Sequence, residues 1–230
     1  KSKRIFKTVK PNIKPGSKAN LKIIDISVEE KPTGEISLGA GVGSDGGTVG
    51  FAVSENNFLG KGVKLGFDLR LTEETIRGSF SVNNPNFNYS GKSLVTSLES
   101  TKIDRLSTNG YESTKMGFSL GTGFEQYENT YIRPRLSSYF EDLTTNSDAS
   151  ANLKKQSGNY FETRFGYSLD NDYRNQRFQT SEGHRLIFGQ GIPLISDEYA
   201  LSNSLDMQKW FKINEDFIIR RGTLKNIKIA

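Results

Sequence analysis

The segment from Val63 to Leu71 alternates strictly between large apolar residues and small or charged ones. Because successive side chains on a strand point to opposite faces, one face of this segment is apolar and the other is polar. The polar face consists of Lys64, Gly66, Asp68 and Arg70. A strand with two such faces belongs either to a soluble sheet that covers a protein core or to a barrel with lipid outside and water inside.

The composition narrows the class of protein without deciding between these two. The 230 residues include 23 Gly, 15 Phe and 9 Tyr, which favours a turn-rich β protein. The mean hydropathy is -0.56, and no apolar run approaches the roughly 20 residues that a membrane helix needs. A helical membrane protein is therefore excluded. A transmembrane barrel is not, because only alternate residues of its strands meet lipid.

Few residues suit catalysis or metal binding. The chain has no Cys and one His, His184, so a thiolate or histidine metal cluster cannot form and a Ser-His hydrolase pair is not expected. We interpret Asp170, Asn171 and Asp172 as a solvated turn, because no complete calcium loop surrounds them. The sequence thus predicts no enzymatic activity, no catalytic residue, no metal and no cofactor.

The net charge of +5 does not indicate nucleic-acid binding. A nucleic-acid module needs a basic face with stacking aromatics, whereas the aromatic residues here alternate with the charges and so lie on the opposite face of each strand. Inward-facing charges of neighbouring strands are expected either to pair across strands or to be hydrated separately. The residues concerned are Arg70, Arg77, Arg133, Arg135 and Arg164 with Asp68, Glu141 and Glu162.

The alternation recurs from Gly34 to the end of the chain in about eleven segments, most of them near the ~9–11 residues that a tilted strand needs to cross a bilayer. Before Gly34, two β-rich runs flank Pro15-Gly16, which predicts a hairpin or a longer β connection. Short links are predicted at 84–90, 125–129 and 214–216, and long ones at 104–109 and 142–159. This contrast is typical of a barrel with turns at one rim and loops at the other.

Several motifs resemble a known family. The run from Val28 to Gly43, followed by Glu55 to Gly62, resembles the junction between the last periplasmic POTRA domain and the barrel in the BamA family of outer-membrane assembly factors. The run from Phe178 to Gly183 resembles the family's aromatic-Pro-Thr-x-x-Gly turn, with Gln179 in place of Pro. The family-motif positions are Asn57, Phe58, Leu59, Gly60, Gly62, Asn84, Pro85, Phe87, Thr180 and Gly183.

This resemblance implies a fold, a location and partners. The fold is all-β: an incomplete transmembrane antiparallel β-barrel of about eleven of sixteen strands, preceded by the C-terminal β part of a POTRA domain. Residues 1–33 would end the last POTRA domain, and residues 34–230 would form the N-terminal part of the barrel. The implied location is the bacterial outer membrane, with the N-terminal part in the periplasm. We expect the segment to lie within a longer protein.

The implied function is to fold and insert other barrel proteins. The implied partners are the lipid bilayer, nascent outer-membrane barrel proteins and accessory lipoproteins of an assembly complex. Two alternatives stay open. One is a polypeptide-transporting or autotransporter-assembly barrel of the same superfamily, TamA-like or of the two-partner secretion type. The other is a soluble β-sandwich that acts as a binding module.

The first barrel strand, Glu35 to Ser44, is the predicted working edge. An exposed edge recruits other strands, so a client strand could pair here and have its backbone groups satisfied before it enters lipid. Glycines at alternate positions weaken this strand. They could instead only relieve crowding inside the lumen, as we expect for Gly121 and Gly123. The predicted pairing residues are Glu35, Ile36, Ser37, Leu38, Gly39, Ala40, Gly41, Val42 and Gly43.

Overall fold

In a computed structural model of the protein, residues 5–18, 20–43, 46–197, 199–215 and 217–229 are described. Within them the chain is almost wholly β structure, as predicted. The strands are β1 (Phe6–Pro15), β2 (Lys22–Glu30), β3 (Gly34–Gly43), β4 (Gly46–Phe58), β5 (Val63–Thr72), β6 (Thr75–Asn84), β7 (Ser93–Arg105), β8 (Tyr111–Tyr127), β9 (Thr130–Thr145), β10 (Gly158–Asp172), β11 (Gly183–Ile195), β12 (Leu201–Lys212) and β13 (Ile218–Ile229). A single-turn 3-10 helix (Phe87–Tyr89) and one short α-helix, α1 (Ala151–Lys155), lie in connections. In these residues no helix is long and apolar enough to cross a membrane.

Strands β1 and β2 pair with each other in a separate two-stranded antiparallel sheet. The turn between them is closed by the backbone N–H of Gly16, which donates to the carbonyl oxygen of Leu21 at 3.0 Å. A Cβ at Gly16 would lie 2.9 Å from atoms of Leu21, so the turn needs glycine there. The predicted hairpin is confirmed, whereas its membership of a POTRA domain stays a prediction.

The remaining eleven strands of the described chain form one antiparallel sheet in sequence order, from β3 to β13. Strands β4 to β12 each pair with the strand before and the strand after, which agrees with the predicted antiparallel barrel wall. Strands β8, β9 and β10 have 17, 16 and 15 residues and are longer than predicted. Their outward charges Glu112 and Asp142 lie near one end, so these strands extend beyond the apolar band into the polar region.

The register carries the alternation of Val63 to Leu71 across the whole sheet. Directly opposed residues on one face are Phe67, Phe80, Leu98 and Phe118, and all of them are exposed. The neighbouring row on the other face is Gly66, Ser81, Ser97 and Ser119. From β5 to β8 the apolar face is therefore continuous, and so is the polar one.

The sheet curves so that its polar face is inside. Every nearly buried large or polar side chain of the described strands points to that face. These residues are Ser113, Ser119, Leu143, Asp170 and Trp210. Because the main contacts of each described strand are with its sheet neighbours, this burial comes from concavity. The exposed apolar face is convex, which argues against a β-sandwich, whose sheets pack apolar face to apolar face.

The connections do not divide into a rim of turns and a rim of loops, contrary to our prediction. One rim, where β3 begins and which we call the N-terminal rim, carries connections 59–62, 85–92, 128–129, 173–182 and 213–217. The opposite rim carries 73–74, 106–110, 146–157 and 196–200. Of the links predicted to be short, that at 128–129 is confirmed. The link after Asn84 is longer because the 3-10 helix adds a second turn to it, and Asp216 of the third lies outside the described residues.

Candidate functional site

Strand β3 is one edge of the large sheet. In the described part of the chain it pairs with β4 on one side and with no strand on the other, so backbone N–H and C=O groups face outward along that side. The outward side chains Ile36, Leu38 and Val42 are 74%, 79% and 92% exposed. The predicted pairing residues Glu35 to Gly43 all lie in this strand, whereas Ser44 is outside the described residues.

The glycines of β3 are not explained by crowding. A Cβ at Gly39, Gly41 or Gly43 would have no atom within 4 Å. By contrast, a Cβ at Gly121 would lie 3.3 Å from the carbonyl oxygen of Pro134, and one at Gly123 would lie 3.0 Å from Ser93 Oγ. Crowding therefore accounts for the β8 glycines, whereas the β3 glycines have open space around them among the described residues.

The two ends of β3 are held differently. At the N-terminal rim, the hydroxyl of Thr33 donates to the carboxylate of Glu55, and the backbone N–H of Asn56 donates to the carbonyl oxygen of Thr33 at 3.3 Å. Towards the other rim, four of the five cross-strand pairs from Gly39 to Gly43 contain at least one glycine, and two of them, Gly39 with Gly50 and Gly43 with Gly46, contain two. Pairs of glycines contribute no side-chain contact. Strand β3 is thus tied at its start and weakly held towards its end.

Motif residues Asn57 to Gly62 shape the turn between β4 and β5. The Asn57 side-chain oxygen accepts a hydrogen bond from the backbone N–H of Gly62 at 2.7 Å, and the Gly60 N–H donates to the Asn57 carbonyl oxygen at 2.8 Å. Leu59, Gly60 and Gly62 have φ values of 55°, 70° and 66°. The glycines adopt this left-handed backbone at little cost. The motif is therefore required by the turn's geometry.

The Asn84-Pro85-Asn86-Phe87 motif closes the next connection at the same rim. The Asn84 side-chain oxygen accepts from the N–H of Asn86 at 3.1 Å, and the Asn86 side-chain oxygen accepts from the N–H of Gly91 at 2.8 Å. The N–H of Phe87 donates to the carbonyl oxygen of Lys92 at 2.7 Å. Asparagine side chains here replace backbone partners, as is usual in tight turns.

The connection 173–182 contains the third motif. The Thr180 hydroxyl donates to the carbonyl oxygen of Gln176 at 2.7 Å. Gly183 has a φ of 104°, and a Cβ there would lie 2.1 Å from the carbonyl oxygen of Tyr173, so only glycine fits. Gln179 has a φ of 53°, a value that the proline of the family pattern cannot adopt. The replacement of proline by Gln179 is therefore accompanied by a backbone conformation that proline cannot adopt.

Our sequence interpretation of Asp170, Asn171 and Asp172 as a solvated turn is wrong, because all three lie in strand β10. Asp170 is on the concave face and is 2% exposed. Arg133 Nη1 donates to Asp170 Oδ2 at 2.9 Å, and Arg185 donates from Nε and Nη2 to the two carboxylate oxygens at 2.9 and 2.8 Å. The carboxylate joins strands β9, β10 and β11. The alternation could have shown that Asp170 faces inward, because it puts Asp170 on the same face as Arg164 and Ser168.

Other inward arginines also have partners that differ from those predicted. Arg164 pairs with Glu162 on its own strand rather than across strands. Arg135 donates to the hydroxyl oxygens of Ser119 and Ser97 at 2.5 and 3.3 Å. Short polar side chains therefore satisfy part of the inner wall without carboxylates.

Two arginines fix the connection 173–182 to the inner wall. Arg174 donates from Nε and Nη2 to the two oxygens of Asp172, both at 2.7 Å, and its guanidinium carbon lies 5.6 Å from the ring centroid of Trp210. The guanidinium carbon of Arg177 lies 5.8 Å from the ring centroid of Tyr131. Trp210 and Tyr131 point to the concave face of β12 and β9. The connection is thereby held against the inner wall at the N-terminal rim.

Asp172 is the last residue of β10, at the N-terminal rim, where its N–H donates to the carbonyl oxygen of Asn129 at 2.8 Å. The hydrogen bonds from the Arg174 guanidinium lower the pKa of the Asp172 carboxyl from 3.8 to about 2. In the described residues no group of His, Asp and Glu side chains is arranged to hold a metal ion.

The fold and its two faces define a class of protein. A curved antiparallel sheet with an exposed apolar convex face and a polar, charged concave face is the wall of an outer-membrane type β-barrel. The family model described as the Omp85 superfamily domain matches residues 57–228. The chain therefore belongs to the Omp85 superfamily, which confirms the family recognised from its motifs.

Solved structures support the same fold. The chain is similar to the crystal structure of BamA from Haemophilus ducreyi lacking POTRA domains 1-3, with a TM-score of 0.72 and 19% identity over 98% of this chain and 47% of that one. It is also similar to CdiB from Acinetobacter baumannii, with a TM-score of 0.54 and 11% identity over 99% of this chain and 45% of that one. The chain thus spans about half the length of each, and at these identities the likeness concerns the fold.

Neutralising Asp170 should destabilise the barrel wall. We expect Asp170→Asn to lower the free energy of unfolding of the full-length protein by about 2 kcal/mol, because two arginines lose their charged acceptor. The urea midpoint in detergent micelles measures this. The matched control is Asp68→Asn, which removes an inward carboxylate without an ion pair in the described residues and should change stability by less than about 0.5 kcal/mol. Equal effects of the two variants would contradict the role of Asp170.

Removing the Arg174 side chain should release the connection 173–182. We expect Arg174→Gln to increase the rate of proteolytic cleavage within this connection about fivefold, because its ties to Asp172 and Trp210 are lost together. Limited proteolysis of the full-length protein with mass spectrometry of the fragments measures this. Because the pKa of Asp172 is lowered, the ion pair between Asp172 and Arg174 is intact at any pH above the ordinary carboxyl pKa. It is lost only as the pH falls through about 2. Cleavage of the unchanged protein should therefore be constant from about pH 8 to about pH 5, and a rise over that range would contradict the pairing.

Proposed function

We propose that the protein is an outer-membrane assembly factor that folds and inserts other β-barrel proteins, with β3 as the edge that accepts a client strand. The observation that carries the proposal is the unpaired side of β3 combined with open space around its glycines. A client strand that pairs there gains backbone hydrogen bonds before it leaves water. The reaction needs no covalent chemistry and no cofactor.

The location and domain assignments belong to the same proposal. Membership of the Omp85 superfamily and the apolar convex face support a place in the bacterial outer membrane. We assign the hairpin in residues 1–33 to the end of a POTRA domain in the periplasm and residues 34–230 to the barrel. The N-terminal rim would then be the periplasmic rim. The partners are the bilayer, nascent barrel proteins and accessory lipoproteins.

A polypeptide-transporting barrel of the same superfamily is the second candidate. The observation that favours it is the concave face, whose polar side chains and glycines suit a water-filled passage. A transporter would hold its substrate within the lumen, whereas an assembly factor would hold it along the edge of β3. The position of crosslinks to a trapped substrate therefore separates the two functions.

A cysteine at Ala40 in the full-length protein should form a crosslink to a stalled client barrel. The described segment has no native cysteine, and Ala40 lies mid-strand on the free edge. The matched control is Val49→Cys, which lies directly opposite Ala40 but in β4, between two paired strands. Crosslinks from Ala40 and none from Val49, detected by gel shift, are the expected result. Failure at every position from Ser37 to Gly43 would overturn the proposal, and crosslinks confined to inward positions would favour transport.

Strengthening the edge strand should slow client assembly without harming the fold. We expect Gly41→Val to reduce the rate about fivefold, because a β-branched residue stiffens β3 and gains a contact with Thr48 on β4. The assay is insertion of a reporter barrel into liposomes containing the full-length protein. Gly121→Val is the contrasting variant, since its crowded site should lower barrel stability instead. A normal rate with Gly41→Val would show that edge weakness is not used.

A further inference from the structure

The convex face carries more cations at β12 and β13 than at the other strands. On the outward positions of the strands from β3 to β11, the only Lys or Arg is Lys102, and its ammonium pairs with Glu112 at 3.0 Å. Strands β12 and β13 carry Lys209, Arg221 and Lys225 on outward positions. None of these three forms an ion pair with a carboxylate of the described residues.

Two of these cations line one groove. Lys209 lies directly opposite His184 on one side and Arg221 on the other, so three basic side chains from β11, β12 and β13 follow one another across the sheet. The groove has a volume of about 450 Å³, and its apolar lining includes Leu186, Met207 and Phe211. The Lys209 ammonium lies 5.0 Å from the ring centroid of Phe211, so the cation sits beside an aromatic ring.

The groove lies at the level of the N-terminal rim. Lys209 is close to the end of β12 at Lys212, and Arg221 is close to the start of β13 at Ile218. From the cations, the exposed apolar side chains of Leu186 and Met207 lead towards the middle of the strands. Phe211 and Ile219 lie on the rim side of the two groove cations, so these cations have exposed apolar surface on both sides, which suits an amphiphile with an anionic head and a hydrocarbon tail.

We propose that this groove binds an anionic phospholipid, with its phosphate between Lys209 and Arg221 and an acyl chain along Leu186 and Met207. Unpaired cations on a lipid-facing wall are costly unless an anion neutralises them, and the groove supplies charge and apolar surface together. The proposal rests on the convex face meeting lipid and not on the role of β3. Client crosslinking at Ala40 is a separate measurement, so failure of either proposal leaves the other standing.

Lipid retention by the full-length protein tests the site. The protein in neutral detergent is mixed with dioleoylphosphatidylglycerol or dioleoylphosphatidylcholine, and bound lipid is counted by native mass spectrometry. We expect preferential retention of phosphatidylglycerol. The double variant Lys209→Gln, Arg221→Gln should bind it about tenfold more weakly, because two attractive charges are lost. Lys102→Gln is the matched control, since it removes an outward cation that already has a partner, and it should leave retention unchanged.

Three other outcomes would overturn the proposal, and one would support it. Equal retention of the two lipids would show that only the acyl chain is held. Unchanged binding in the double variant, with the fold checked by heat-modifiable gel mobility, would place the lipid elsewhere. Displacement of phosphatidylglycerol by a soluble poly-glutamate peptide at equal concentration would indicate a polypeptide partner. If the double variant Lys209→Arg, Arg221→Lys retains phosphatidylglycerol at the native level, this would support a site that needs a positive charge at both positions.

Discussion

The structure depends on one constraint, which is that lipid offers no hydrogen-bond partner to a polypeptide backbone. A sheet in a bilayer must therefore pair every N–H and C=O group, and its edges are where this requirement is hardest to meet. From β4 to β12 each strand has two neighbours, and the backbone is satisfied by the ladder alone. The side chains can then differ between the two faces, with apolar residues towards lipid on the convex face and polar residues towards water on the concave one.

The concave wall shows how a curved sheet accommodates polar groups. Glycines on this face lie against bulky or polar neighbours: a Cβ at Gly117 would lie 2.7 Å from the ring of Tyr139, and one at Gly191 would lie 2.5 Å from Ser202 Oγ. Curvature brings inward side chains together, so small residues and short hydrogen-bonding ones alternate with arginines. Strands β3 and β4 are the exceptions, because their inward glycines Gly39, Gly41, Gly43 and Gly50 have open space around them among the described residues. The same residue type therefore relieves crowding in β8 and leaves open space at the β3–β4 end of the sheet.

Much of this fold could be predicted because alternation with a period of two is a local property of the sequence. Eleven strands, their two faces and the meander all follow from it. The face on which Asp170 lies also follows from the alternation, but its partners could not be predicted, because Arg133 and Arg185 come from neighbouring strands and meet it only once the register is fixed. The prediction of the connection lengths was wrong for a similar reason. The asparagine and glycine pattern after Asn84 marks a turn, but not the second turn built within it.

The connection 173–182 shows how a motif can change without losing its place in the fold. Proline would fix φ near −65°, whereas Gln179 has a φ of 53°, so the backbone here must be held by other means. The Asn175 side-chain oxygen accepts from the backbone N–H groups of Ser181 and Glu182 at 3.2 and 3.3 Å and so supplies local closure. Arg174 and Arg177 then attach the connection to aromatic rings on the inner wall. The rigidity that proline would supply through its ring is thus replaced by contacts with the barrel itself, which makes the position of this connection dependent on the pairing of β9 to β12.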